Sequence, residues 1–95
     1  MRITVVPVDN VVTVDGLSFG DIDMSSIDTT VHAVQWYDDH GEIELKDPVT
    51  GKMTANVSID NLDIFAAVLT HYQTKKAIYD AELAEQAASE QSHEV

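Results

Sequence analysis

The periodicity of the chain changes once, at Ile59-Asp60, and that change narrows the folds open to it more than any other feature. Before it, β-branched residues come in short alternating runs separated by turn formers; after it, large apolar residues recur at three- and four-residue steps. Alternation puts successive side chains on opposite faces of a strand, whereas the three-and-four step lays them along one face of a helix. The expected fold is therefore α+β, with a small antiparallel β-meander sheet of four to five strands over residues 2–59. One long C-terminal helix over 60–95 then packs partly across it. With 95 residues there is material for one core, so the chain reads as a single domain.

The strand half divides at its turn residues. A first strand over 3–8 ends at the Asp9-Asn10 turn, and a second covers 11–14. Asp15-Gly16 can supply the positive φ angles of a tight hairpin before Leu17 and Phe19. Residues 20–30 mix turn formers with Ile22, Met24 and Ile27 as anchors, which reads as an irregular loop or one helical turn. VHAVQWY at 31–37 and EIELK at 42–46 flank DDHG, a connection of the length and chemistry that joins antiparallel strands. Alternation then places Ile43 and Leu45 inward with Val34 and Trp36, and makes Trp36 the expected centre of the core. After the DPVTGK turn, Met53, Ala55, Val57 and Ile59 alternate with Thr54, Asn56 and Ser58 as a last strand.

A helix is expected to start near residue 61, capped by Asp60 or Ser58, with Asp63 adding favourable negative charge in the first turn. Leu62, Phe65, Leu69, Tyr72, Tyr79 and Leu83 form its apolar stripe. Two uses of the stripe are open: it covers the sheet, or its later half pairs with another chain as a short coiled coil. The stretch from Ala81 keeps helix-favouring Ala, Glu and Gln but loses large apolar residues beyond Leu83, so it is expected to protrude or fray as an acidic tail.

Charge and composition exclude several classes of function. Seventeen Asp plus Glu against five Lys plus Arg give a net charge of −12, which repels phosphate backbones and argues against direct nucleic-acid binding. The chain has no cysteine, so it has neither disulfide nor thiolate chemistry. No apolar run reaches the roughly 20 residues that span a bilayer, and Met1-Arg2 leads into strand-like ITVV rather than a signal-peptide core. The expected location is the cytoplasm.

Motifs for chemistry are equally sparse. Asp38-Asp39-His40-Gly41-Glu42 gathers metal-ligand types in five residues, but a solvated tight turn produces the same string. Asp21-Ile22-Asp23 and Asp60-Asn61-Leu62-Asp63 miss the spacing of a calcium loop. His32, His40, His71 and His93 are scattered, with no helical pair that could share a metal. There is no GxSxG turn and no glycine-rich phosphate cradle, and Asn56-Val57-Ser58 is a chance glycosylation match. The expectation is a non-enzymatic protein with no cofactor and no bound metal.

The opening RITVVPVDNVVTVDG, the VHAVQWY strand and the GEIEL that follows resemble a group of small proteins encoded near tail-fibre genes in tailed bacteriophages and prophages. The resemblance covers roughly the first half of the chain; the helix and acidic tail of residues 60–95 are longer than is usual in that group. It implies a tail-fibre assembly or accessory role in the host cytoplasm or the virion tail, exercised by binding a tail-fibre subunit. The helix face of Leu69, Tyr72, Tyr79 and Leu83 is the expected contact, for that partner or for a homo-oligomer. Two other readings stand beside it. Asp38, Asp39, Glu42 and Glu44 could imitate nucleic-acid phosphates in an anti-restriction or anti-CRISPR inhibitor, or the chain could be a self-assembling virion subunit.

Overall fold

The computed structural model describes the backbone of residues 1–93 and the side chains of residues 1–88. Six strands form one antiparallel sheet: β1 (Arg2–Val6), β2 (Val11–Val14), β3 (Leu17–Phe19), β4 (Val31–Tyr37), β5 (His40–Lys46) and β6 (Met53–Ile59). A single helix, α1 (Ala66–His93), follows. The α+β class is as expected, with one or two strands more. The spatial order β3-β2-β1-β4-β5-β6 also departs from a simple meander, because the chain returns from the β3 edge to pair β4 with β1.

That return is made by residues 20–30, whose anchors are those expected. Ile22 is fully buried, Met24 and Ile27 pack against the core, and the Ile22 N–H donates to the Asn10 carbonyl at 2.9 Å. The connection thereby runs past the β1–β2 turn along one end of the sheet. The turn itself is a 3-10 turn over Pro7–Asp9, closed by Asn10 in the left-handed region at φ 55°. It shortens β1 by two residues against the expected 3–8 span, since proline at its first position cannot donate to the ladder. Asp15 and Gly16, at φ 49° and 86°, make the tight β2–β3 hairpin.

Inward-facing residues follow the pairing register. Ile3 and Val5 of β1 lie opposite Trp36 and Val34 of β4 and opposite Val14 and Val12 of β2. Val34 in turn lies opposite Ile43. A bulge between Val31 and Ala33 restores Val31 to the same inward face. Against this layer α1 and the 3-10 turn Asp63–Phe65 place Phe65, Val68 and Tyr72, each at most 2% exposed. Trp36 is buried as expected, and Tyr72, Phe65, Ile3 and Ile22 are the larger of the fully buried side chains.

The helix begins later than the charge pattern suggests. Asn61 rather than Asp60 or Ser58 accepts the Asp63 N–H, at 3.2 Å, and one 3-10 turn precedes the first α-helical residue, Ala66. Its later turns lie beside the β3 edge, where Phe19 packs against both Tyr72 and Tyr79 with ring centroids 5.2 and 5.4 Å apart. Beyond Lys76 every described side chain is exposed, and the molecule extends 60 Å along its longest axis. The tail continues as helix to His93; its side chains beyond residue 88, and residues 94–95 altogether, lie outside the described set.

Candidate functional site

The apolar stripe of the helix divides into two parts with different roles. Tyr72 is 1% exposed, and its hydroxyl donates to the Leu17 carbonyl at 3.0 Å. Burial raises its pKa above the ordinary tyrosine value. Leu69 is half-buried and packed against the core. Of the expected contact set Leu69, Tyr72, Tyr79 and Leu83, Tyr72 is taken up by the core, Leu69 is partly taken up, and Tyr79 and Leu83 are exposed. Val68, outside the expected stripe, is fully buried because it lies within the same helical arc as Phe65 and Tyr72.

Tyr79 and Leu83 continue the arc of Phe65 and Tyr72 at seven- and four-residue steps, past the edge of the sheet. Tyr79 leans edge-on against Phe19 and is 37% exposed; Leu83 is 46% exposed. Ile78, which the stripe omitted, is also exposed but points off this face, since neighbours at i,i+1 do not share one. Lys76 and Asp80 flank the patch with an i,i+4 ion pair of 2.8 Å, and the carboxylate holds the Lys76 ammonium above its ordinary pKa.

The four candidate phosphate-mimicking acids are not gathered into one surface. Asp38 and Asp39 form the β4–β5 turn, where Asp38 takes the left-handed conformation at φ 55°. The Asp38 carboxylate accepts from the Met1 ammonium, and its backbone carbonyl accepts from the Trp36 indole N–H at 3.1 Å. Asp39 is bonded to the His40 ring at 2.8 Å, which holds its carboxyl below the ordinary range. Glu42 and Glu44 sit instead on the open face of the sheet, opposite Gln35 and Ala33 of β4 and Ser58 and Asn56 of β6.

That open face is mixed rather than uniformly acidic. The Gln35 carbonyl oxygen accepts from Arg2 at 2.6 Å and from Thr4 at 3.1 Å, while its amide donates to Glu44 at 3.4 Å. The Arg2 guanidinium lies 4.0 Å over the Tyr37 ring, which stacks on His40. Thr13 and Ser18 extend the polar row to β3 through a 2.6 Å bond. These are cross-strand pairs of the kind that hold a solvated sheet face in register.

His71 has a structural task. Its Nδ1 accepts the Asp23 N–H at 2.9 Å, tying the helix to the crossing connection, beside an open depression of about 330 Å³. A second depression of about 310 Å³ lies between the Pro7 turn, Ile27 and Pro48. Among the described residues no group of three or more His, Asp or Glu is placed to hold a metal ion, and no helix is long and apolar enough to cross a membrane. Comparison with known proteins finds no matching family model, no matching curated protein and no matching solved structure.

Proposed function

We propose that this protein acts by binding another protein, without chemistry of its own, and that its partner is a tail-fibre subunit whose apolar surface it shields or organises during assembly. The observation that carries the binding reading is the run-on of the helical stripe. The face that seats α1 on the sheet continues through Tyr79, partly exposed where it leans on Phe19 at the β3 edge, to exposed Leu83 one turn further on. An amphipathic helix that outlasts its own body is suited to lie in another protein's groove. The tail-fibre identity of the partner rests on the resemblance of the strand half, and with it goes a proposed location in the host cytoplasm or on the virion tail.

A tagged pull-down from infected or prophage-induced lysate tests this, washed first at about 0.1 M and then at about 0.5 M salt, where the screening length falls from about 10 Å to roughly 4 Å. Salt-resistant recovery of a tail-fibre subunit, lost on Leu83→Glu, is the expected result. Salt-sensitive recovery of a nucleic-acid-binding protein that survives Leu83→Glu would reject it in favour of an acidic decoy.

A further inference from the structure

The two edges of the sheet are treated differently. At the β3 edge the strand has three residues, Asp15 and Asp21 flank it closely, and the Tyr72 hydroxyl occupies the Leu17 carbonyl. The β6 edge is seven residues long, MTANVSI, with no charge and no proline, and every residue but Ile59 is exposed. Natural edge strands are ordinarily kept short, charged or covered, because their unpaired N–H and C=O groups invite another strand. Here a chain with five basic and seventeen acidic residues leaves one charge in residues 48–59, Lys52. The face is unusual too: Val57 lies opposite buried Ile43 on the helix-bearing side, yet it is 45% exposed because α1 does not extend over β6.

We propose that β6 is a self-association edge, at which a second copy of this chain adds its own β6 antiparallel to make one continuous sheet across two chains. This goes beyond the partner-binding reading and uses a different surface from the helix. The β5–β6 ladder is regular from Gly41↔Ile59 to Leu45↔Ala55 and is interrupted by a bulge only at Thr54, so the straight edge is residues 55–59. Pairing about its middle sets Val57 opposite Val57 of the second copy, Ala55 opposite Ile59 and Asn56 opposite Ser58. Directly opposed residues share a face, so apolar meets apolar on the helix side and polar meets polar on the open side. A slip by one residue would join the apolar face of one copy to the polar face of the other.

Charge selects the same occupant. Lys52 and Asp60 lie beyond opposite ends of β6, so an antiparallel two-fold brings the cationic end of each strand toward the anionic end of the other. Glu42 and Glu44 stay on β5, three strand spacings or about 14 Å from the β5 of the second copy, beyond the screening length of about 8 Å at physiological salt. The later, acidic turns of the helix lie beside β3, at the far edge of each copy, so their charge is held away from the seam.

Sedimentation of the intact chain should give twice its 10.4 kDa mass, and Val57→Lys should give a monomer with unchanged far-UV circular dichroism. A second variant fixes the register. The chain has no cysteine, so Val57→Cys carries the sole thiol, and opposed strand residues stand about 4.5–5.5 Å apart, within disulfide range. Mild oxidation should link this variant into a covalent dimer and leave Thr50→Cys, whose thiol lies in the turn before β6, without a cross-link. A chain that sediments as a monomer at every concentration would overturn the proposal. So would a dimer that survives Val57→Lys, gives no cross-link through the thiol at 57 and is lost on Leu83→Glu, which would put the contact on the helix.

Discussion

At the scale of single residues, Gly41 is decided by what lies over it. It pairs with Trp36, and a Cβ built there would come 2.5 Å from the Gln35 carbonyl and 2.9 Å from the Trp36 ring. The DDHG string reads as a four-residue connection, but the turn is Asp38-Asp39 alone, and Gly41 is a strand residue that lets the indole lie flat on the ladder. Gly41→Ala should therefore cost about 1–3 kcal/mol by overpacking, toward the upper end because the nearest obstacle is backbone, and chemical denaturation would measure it. Gly16→Ala tests the other reason for glycine: nothing lies within 4 Å of its added Cβ, so any cost there comes from φ 86° alone. Tyr72 separates packing from hydrogen bonding in the same way. Tyr72→Phe keeps the ring against Phe19 and should cost about 1 kcal/mol through the Leu17 carbonyl, whereas Tyr72→Ala should cost about 3–5 kcal/mol.

At the scale of elements, α1 is one helix with two environments. The stripe runs from Phe65 to Leu83 and is interrupted at Lys76, but the interruption does not by itself say where the sheet ends beneath it. Only the pairing order places β3 at the edge and so divides Tyr72, which is inside, from Leu83, which is outside. Thermal and denaturant unfolding should register that division: Phe65→Ala should lose about 3–5 kcal/mol, while Leu83→Ala should stay within about 0.5 kcal/mol of the parent chain. A large loss at Leu83 would mean that the protruding half is packed against something in solution. The strand pattern predicted the hairpins well because their turn chemistry is local, as in Asp15-Gly16 and the Asp47 turn, where Val49 N–H donates to the Asp47 carboxylate at 2.8 Å. The β1–β4 pairing escaped it because the two strands are separated by the whole β2–β3 hairpin and the crossing connection.

For the whole molecule, a net charge of −12 is opposed by three exposed ion pairs among the described residues: Met1–Asp38, Asp39–His40 and Lys76–Asp80. Exposed pairs contribute at most about 1 kcal/mol each, so self-repulsion dominates the salt response. The melting temperature should rise as salt goes from about 10 mM to about 1 M and the screening length falls from about 30 Å to about 3 Å. A fall would show that specific pairs outweigh the net field. Acid acts on particular carboxylates. Asp23, Asp28 and Asp39 are held below the ordinary carboxylate range by the Ser25 backbone, the Thr30 backbone and His40 respectively. The unfolded chain therefore takes up these protons first, and their contribution, complete above about pH 4, is lost as pH falls through the lower folded-state values. Asp28→Asn should flatten that acid limb in a pH series of unfolding curves.

Read from the sequence, alternation and turn chemistry determined the α+β class, the hairpins, the inward set of Val34, Trp36 and Ile43, and the anchoring role of Ile22, Met24 and Ile27, because each depends on residues close along the chain. The tertiary structure decided the strand order, the burial of Phe65, Val68 and Tyr72 against the exposure of Tyr79 and Leu83, and the open edge of β6. Those depend on which strand lies at the border of the sheet and how far one helix reaches across it. Such distances are set by contacts between residues far apart in sequence, and periodicity carries no record of them.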